Sequence, residues 1–359
     1  MSTFHKIAVS DIVRLTDSAC AVEFEVPPEL RASYLFQPGQ HLTLRRVTGS
    51  AEDRRTYSIC STPAELAERG RLRIGVKLIP AGVFSGWLTS GLQVGEVVEV
   101  MTPAGHFGPA GVGEAGNGRR IGCLAAGSGI TPVLSIAASV LAAEPDSEVL
   151  LVYGNRSTGE VMFLEQLADL KNRYPQRLTV LHVLSGEPQL SDLLTGRIDQ
   201  AKIATLLAGP AAEVEDWYLC GPFGMVTAAR DALVAGGVPE GRVHAELFYA
   251  GEVPVDELSA GEDDSGADRS EVTVTLAGRT STVSVPYTGA SILDAVLAAR
   301  PDAPYACKGG VCGTCRAKVV SGEVRMTRNY ALEPDEIAAG LVLACQSHPV
   351  TDEVELEFR

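Results

Sequence analysis

The feature that most constrains this chain is a loop near its end, Cys307-Lys-Gly-Gly-Val-Cys312-Gly-Thr-Cys315, followed by a fourth cysteine, Cys345. The spacing C-x4-C-x2-C with a distant fourth thiol suits a [2Fe–2S] cluster, with Cys307, Cys312, Cys315 and Cys345 as ligands. Three thiolates from one tight loop reach two adjacent irons, and the fourth, from a separate strand, closes the site. Gly309, Gly310 and Gly313 let the backbone curl without Cβ clashes, so amide N–H groups can point at the sulfurs. Structural zinc is the competing reading, but zinc favours two short C-x2–4-C or H-x3–5-H pairs, and one is present. A disulfide framework suits small secreted domains rather than a chain of 359 residues.

That length predicts two to three domains. Residues 1–112 hold short runs such as FHKIAVSDIVRLT, CAVEFEV, RTYSICS and RLRIGVKLI, alternating apolar and polar residues between Pro and Gly breaks. The alternation predicts a small antiparallel β-barrel. Residues 113–250 alternate strand-like with helix-like runs, which predicts a doubly wound parallel α/β sheet with helices on both faces. The helix after Gly129 is expected to be capped by Thr131, with Pro132 in its first position. Val133, Ile136, Ala137, Val140 and Leu141 fall at helical spacing on one face. Residues 251–269 carry seven acidic residues against one arginine and few large apolar ones, the composition of a solvated linker. From 270 to 359 strands resume, EVTVTLAG and TSTVSVPY, then a helix, SILDAVLAAR, and the cysteine loop. AKVVSGEVRM reads as a hairpin, EPDEIAAG as a helical turn, LVLACQS as the strand of the fourth ligand and EVELEFR as the last strand. This is a compact α+β unit.

A net charge of −15 argues against nucleic acid and favours partners with basic docking patches. The N-terminus lacks a signal peptide's apolar core, and no run approaches the ~20 apolar residues of a membrane helix. With Cys20, Cys60, Cys123 and Cys220 scattered along strands and turns, the chain is expected in the reducing cytoplasm, away from membranes.

Six further segments carry chemistry. Arg55-Thr-Tyr57-Ser58 lies on a barrel strand. Val76-Lys77 and Gly82-Val83-Phe84-Ser85 lead into a helix start, where free N–H groups favour phosphate. Gly127-Ser128-Gly129-Ile-Thr131-Pro132 is a glycine-rich turn between strand and helix, where a dinucleotide pyrophosphate sits, though without the G-x-G-x-x-G pattern. Gly154-Asn155-Arg156-Ser157 ends the second strand of the sheet; no acid follows it immediately, and a basic residue there suits the 2′-phosphate of NADPH, with NADH the alternative. Cys220-Gly221-Pro222 ends a later strand, and Glu246-Leu-Phe248 closes the sheet.

Together these segments resemble the ferredoxin–NADP reductase superfamily, fused at the C-terminus to a plant-type, β-grasp-like [2Fe–2S] ferredoxin. The resemblance implies an FAD site of Arg55, Tyr57, Ser58, Val76, Lys77, Gly82, Val83, Phe84, Ser85, Thr131 and Phe248. It implies a nucleotide site of Gly127, Ser128, Gly129, Asn155, Arg156, Ser157, Cys220, Gly221 and Pro222, with Ser58 and Cys220 at the reacting atoms. Relatives from plants end on a tyrosine at the place of Phe248; this chain continues. The stretches YGNRSTGEVMFLEQLADLKNRYPQR, HVLSGEP, ACKGGVCGTC and NYALEPDEIAAGLVLACQSHP are similar to reductase subunits of phenylacetyl-CoA epoxidases (ring 1,2-epoxidases) and of 3-ketosteroid 9α-hydroxylases. The implied activity is flavin-dependent NAD(P)H oxidation, with electrons passed singly through the cluster to an external oxygenase. That oxygenase would be a diiron epoxidase of aerobic phenylacetate degradation or a Rieske-type ring hydroxylase. The non-enzymatic alternative is a ferredoxin-like electron carrier whose reductase half is an inactive scaffold.

Overall fold

The computed structural model describes residues 4–48, 51–114, 118–248, 269–276 and 278–358. They form two compact units, one of the parallel sheet and the barrel without Arg54–Thr56, the other of the C-terminal residues with Arg54–Thr56. The acidic linker expected at 251–269 lies outside the described residues, except for Arg269, which opens a strand.

The barrel holds β1 (Phe4–Thr16), β2 (Ala19–Glu25), β3 (His41–Thr48), β4 (Ala51–Ser58), β5 (Arg71–Lys77) and β6 (Val97–Met101), in the order β4-β3-β6-β1-β2-β5. A bridge between Ile59 and Ile74, with the Cys60 N–H donating to Arg73 O at 2.8 Å, joins the two ends of that order. The alternation seen in the sequence is the barrel's inside and outside: Ile7, Val9, Phe24, Leu42, Leu44 and Ile74 fill the core. Between β4 and β5 runs α1 (Pro63–Arg69). It starts on a Thr62–Glu65 capping box with Pro63 in the first turn and stops at Gly70, which is left-handed at φ 70°.

The second sheet holds β7 (Arg120–Ala126), β8 (Glu148–Asn155), β9 (Leu178–Leu184), β10 (Asp216–Gly221) and β11 (Val243–Leu247), all parallel, in the order β11-β10-β7-β8-β9. Strand order reverses between β7 and β10, and a doubly wound sheet binds its ligand at the carboxyl ends of the strands at such a point. The helices are α3 (Ile130–Ala143), α4 (Leu164–Arg173), α5 (Gln200–Leu207) and α6 (Phe223–Ala235), α2 being the short Val83–Gly86 turn of the barrel. The start of α3 differs from expectation. A 3-10 turn, Gly127–Gly129, runs straight into it, so Gly129 takes the cap position and the Thr131 hydroxyl donates back to Ser128 O at 3.0 Å. Nor does α3 bury one face alone: Ile130, Thr131, Leu134, Ser135 and Ser139 are buried as well. The cause is a second neighbour, since α3 lies against the barrel too, where Ser135 Oγ donates to Ser61 O at 2.7 Å and Ala19, Ala21 and Cys60 join its apolar cluster.

In the C-terminal unit, β12 (Arg269–Leu276), β13 (Arg279–Pro286), β14 (Arg316–Ser321), β16 (Leu341–Leu343) and β18 (Glu353–Phe358) form a mixed sheet ordered β13-β12-β18-β14-β16. Helix α7 (Ile292–Ala299), capped by Ser291, buries Ile292, Leu293 and Val296 in its core, and α8 (Pro334–Ala338) precedes β16. AKVVSGEVRM is not a hairpin. β14 is already paired on both sides by β18 and β16, so β15 (Val324–Met326) turns away at Gly322, φ 77°, and pairs with β17 (Ser347–Pro349). Cys345 likewise sits in a 3-10 turn, Ala344–Gln346, between β16 and β17 rather than in a strand. No described helix is long and apolar enough to cross a membrane.

Candidate functional site

The barrel supplies one wall of a cleft. On β4, Arg55 Nη1 donates to Arg54 O at 2.7 Å, and the Tyr57 ring stands 6.2 Å from Phe84 at 31°. Phe84 meets Trp87 edge-on at 5.4 Å, Arg46 covers the Trp87 ring at 4.7 Å, and Leu88 is core. Val76 turns its side chain into the barrel core, so only its backbone is left for a ligand. Ser85 is buried and closes its own turn, accepting from the Ile79 N–H at 3.1 Å and donating to Gly82 O at 3.3 Å. Gly82 lets the turn close tightly, since a Cβ would stand 2.6 Å from Ser85 Oγ and 3.0 Å from Ile79 O. Val83, in contrast, is exposed.

The parallel sheet supplies the other wall. Gly127 at φ 53° brings the glycine turn to the barrel, where a Cβ on it would lie 3.8 Å from Lys77 Nζ; Lys77 in turn pairs with Glu160 at 3.3 Å. Gly129 backs onto the end of β10 so closely that a Cβ would stand 2.1 Å from Cys220 O. Thr131 is buried with its methyl against Gly75 of β5. The Phe248 N–H donates to Gly221 O at 2.9 Å, which fixes Phe248 beside Cys220-Gly221-Pro222. Asn155, at the end of β8, is buried beside the Tyr153 hydroxyl, and neither its Nδ2 nor its Oδ1 makes a hydrogen bond of good geometry, which fits a ligand's polar group at that strand end. Arg156 beside it is exposed.

Three residues to which the sequence assigned no role join these. Glu246 Oε2 accepts from Ser58 Oγ at 3.2 Å and lies 4.0 Å from Cys220 Sγ, so one carboxyl connects barrel and sheet. Burial pushes it up to about 7, the Ser58 hydroxyl opposing; burial and this carboxyl together push Cys220 well up. Tyr153, fully buried on β8, donates its hydroxyl to Gly127 O at 2.9 Å and fixes the turn. Glu160 is the third, through Lys77. The Glu246-Leu-Phe248 segment carried a signal, but it drew attention to Phe248.

In the C-terminal unit the loop is held by left-handed residues, Lys308 at φ 51°, Gly310 at 76° and Gly313 at 65°. The Gly309 N–H donates to Cys307 Sγ at 3.3 Å, and Cys312 Sγ donates to Thr314 Oγ1 at 3.2 Å. Cys312, with the N–H groups of Gly309, Val311 and Cys312, draws Cys307 down to about 5 and is itself pushed up; Cys315 draws Cys345 down in the same way. Among the described residues no three His, Cys, Asp or Glu side chains gather as ligands of one ion. Four thiols from two segments, three of them on one loop with the Gly309 N–H turned on Cys307 Sγ, fit two adjacent irons better than one tetrahedral zinc.

Family models match all three parts: an oxidoreductase FAD-binding domain at residues 6–108, an oxidoreductase NAD-binding domain at 123–231 and a 2Fe-2S iron-sulfur cluster binding domain at 274–350. A component of the 1,2-phenylacetyl-CoA epoxidase of Escherichia coli K12 is 42% identical over 360 residues, spanning 100% of this chain and 98% of the relative. The ferredoxin reductase component of the Mycobacterium tuberculosis H37Rv 3-ketosteroid-9-alpha-monooxygenase is 39% identical, over 98% of this chain and 95% of its own length. Phthalate dioxygenase reductase has the same fold, with a TM-score of 0.57 at 24% identity over 99% of this chain and 98% of its own.

Proposed function

Because this chain belongs to the FAD- and NAD-binding oxidoreductases with a 2Fe–2S domain that serve as reductase components of oxygenases, we propose that it delivers NADPH electrons to the diiron oxygenase of a phenylacetyl-CoA epoxidase in aerobic phenylacetate degradation. The observation that carries this reading is the 42% identity with the epoxidase component, unbroken through barrel, sheet and ferredoxin unit. When bound, nicotinamide and flavin supply hydride transfer and the [2Fe–2S] cluster supplies single-electron transfer, so that a two-electron donor serves a one-electron acceptor.

The side chains bind, orient and hold protons around that chemistry. Arg55 neutralises the FAD pyrophosphate with a planar fork of donors, helped by the backbone of Val76 and of the Gly82–Val83–Phe84–Ser85 turn. Tyr57 and Phe248 offer ring faces to the flavin; Lys77 and Thr131 line its approach. Ser58 and Glu246 share a proton beside the reacting atoms, and Cys220, with Gly221 and Pro222, shapes the nicotinamide seat. Gly127, Ser128 and Gly129 receive the nucleotide pyrophosphate, and Asn155, Arg156 and Ser157 the 2′-phosphate that favours NADPH over NADH. Cys307, Cys312, Cys315 and Cys345 ligate the cluster. Eight free cysteines suit a reducing cytoplasm.

A second reading, service to a Rieske-type 3-ketosteroid oxygenase, is favoured by the 39% identity with that reductase. Reconstitution separates them: the purified chain, NADPH and each purified oxygenase are combined, and epoxidation of phenylacetyl-CoA is compared with 9α-hydroxylation of the steroid. Turnover with the epoxidase is expected; turnover confined to the steroid system would overturn the assignment.

A further inference from the structure

We propose that Gln346 is a positioning residue for the cluster: it ties the three-thiol loop to the turn of the fourth ligand and directs an amide N–H at the Cys345 sulfur. The inference rests on the reading of the four cysteines as ligands.

Gln346 Nε2 donates to Lys308 O at 2.9 Å and to Cys345 O at 2.9 Å, and lies 3.7 Å from Cys345 Sγ. Lys308 is a non-glycine residue at φ 51°, a conformation that persists only where surrounding contacts hold it, and Gln346 holds its carbonyl. The loop also rests on the glutamine stem, since a Cβ on Gly310 would stand 3.0 Å from Gln346 Cγ. The amide's orientation is fixed by the carbonyl oxygens of Lys308 and Cys345, which can only accept, and its other end agrees. Thr327 Oγ1 donates to Gln346 Oε1 at 3.2 Å, and the Thr327 N–H donates to Gln346 O at 2.8 Å. With two carbonyl oxygens on the loop side, the nitrogen faces the loop and the oxygen faces Thr327. Its two hydrogens have three acceptors in reach, and the sulfur takes the longest, shared one.

A reduced cluster carries one more negative charge, spread over its sulfurs. An N–H dipole aimed at a ligand sulfur therefore favours the reduced form, and hydrogen bonds of this kind tune such potentials. Losing this hydrogen bond, long and shared, corresponds to at most a roughly fivefold fall in the reduction equilibrium. For a one-electron couple that is about 40 mV, at 59 mV per tenfold.

The test compares the full-length parent, Gln346→Met, which keeps length without the donor, and Thr327→Val, which frees the amide oxygen. Each is reconstituted anaerobically with iron and sulfide, then followed by potentiometric EPR and by iron release to a chelator. Gln346→Met is expected to shift the midpoint negative, change the EPR g-values and release iron faster; Thr327→Val is expected to shift it less, in the same direction. Equal potentials and spectra in parent and Gln346→Met would overturn the inference. If Gln346→Met takes up no cluster, Thr327→Val decides alone: a negative shift supports the role and an unchanged potential refutes it. A parent without iron or visible bands would instead remove the ligand reading beneath it.

Discussion

Glu246→Gln is expected to make the larger unit more stable as pH rises. Burial moves this carboxyl from an ordinary 4.5 up to about 7, with the Ser58 hydroxyl pulling the other way. Below pH 4.5 both the folded and the unfolded chain hold the proton, and the group makes no difference. Between 4.5 and about 7 the unfolded chain has released it while the folded one keeps it, so the parent loses stability at up to about 1.4 kcal/mol per pH unit. Above that window the loss levels off at about 3 kcal/mol. Glutamine has no such titration. The gap between variant and parent should therefore open across the window, in favour of the variant. Urea unfolding of the flavin-free proteins measures it by tryptophan fluorescence, because Trp87 and Trp217 both lie in this unit. Parallel stability profiles on the two sides of the window would refute the burial of the carboxyl.

Tyr153→Phe removes the donor to Gly127 O and should weaken NADPH binding about fivefold, near 1 kcal/mol, at unchanged flavin content; an absorbance titration with the nucleotide reads it. Gly129→Ala places a Cβ 2.1 Å from a backbone oxygen that no rotamer can move, and should cost about 1–3 kcal/mol, seen as a lower thermal midpoint. Cys312→Ser should abolish the cluster's visible bands and electron delivery to the oxygenase while NADPH-driven ferricyanide reduction by the flavin persists; delivery that survived would make the cluster dispensable.

The cysteine loop, the barrel strands, the parallel sheet and the three kinds of domain were legible in the sequence for a common reason. The spacing of residues within one short loop and burial on one face of a strand are local, and leave their period in the chain. Where a segment had more than one neighbour, periodicity misled. Helix α3 shows one apolar face in the sequence but is covered by sheet and barrel alike, and β14 and β15 resemble a hairpin until β18 and β16 take both edges of β14. The segments at Arg55, Gly82 and Gly127 marked the turns, but not what joins them. Ser58 and Glu246 stand 188 positions apart, and their contact depends on how two sheets close on each other. The same holds for Gln346 and Lys308, whose hydrogen bond spans 38 positions. Cysteine spacing and strand alternation were set by the chain itself; the Ser58–Glu246 hydrogen bond and the amide beside Cys345 exist only because folding removes water from between distant segments and leaves their polar groups to pair with one another.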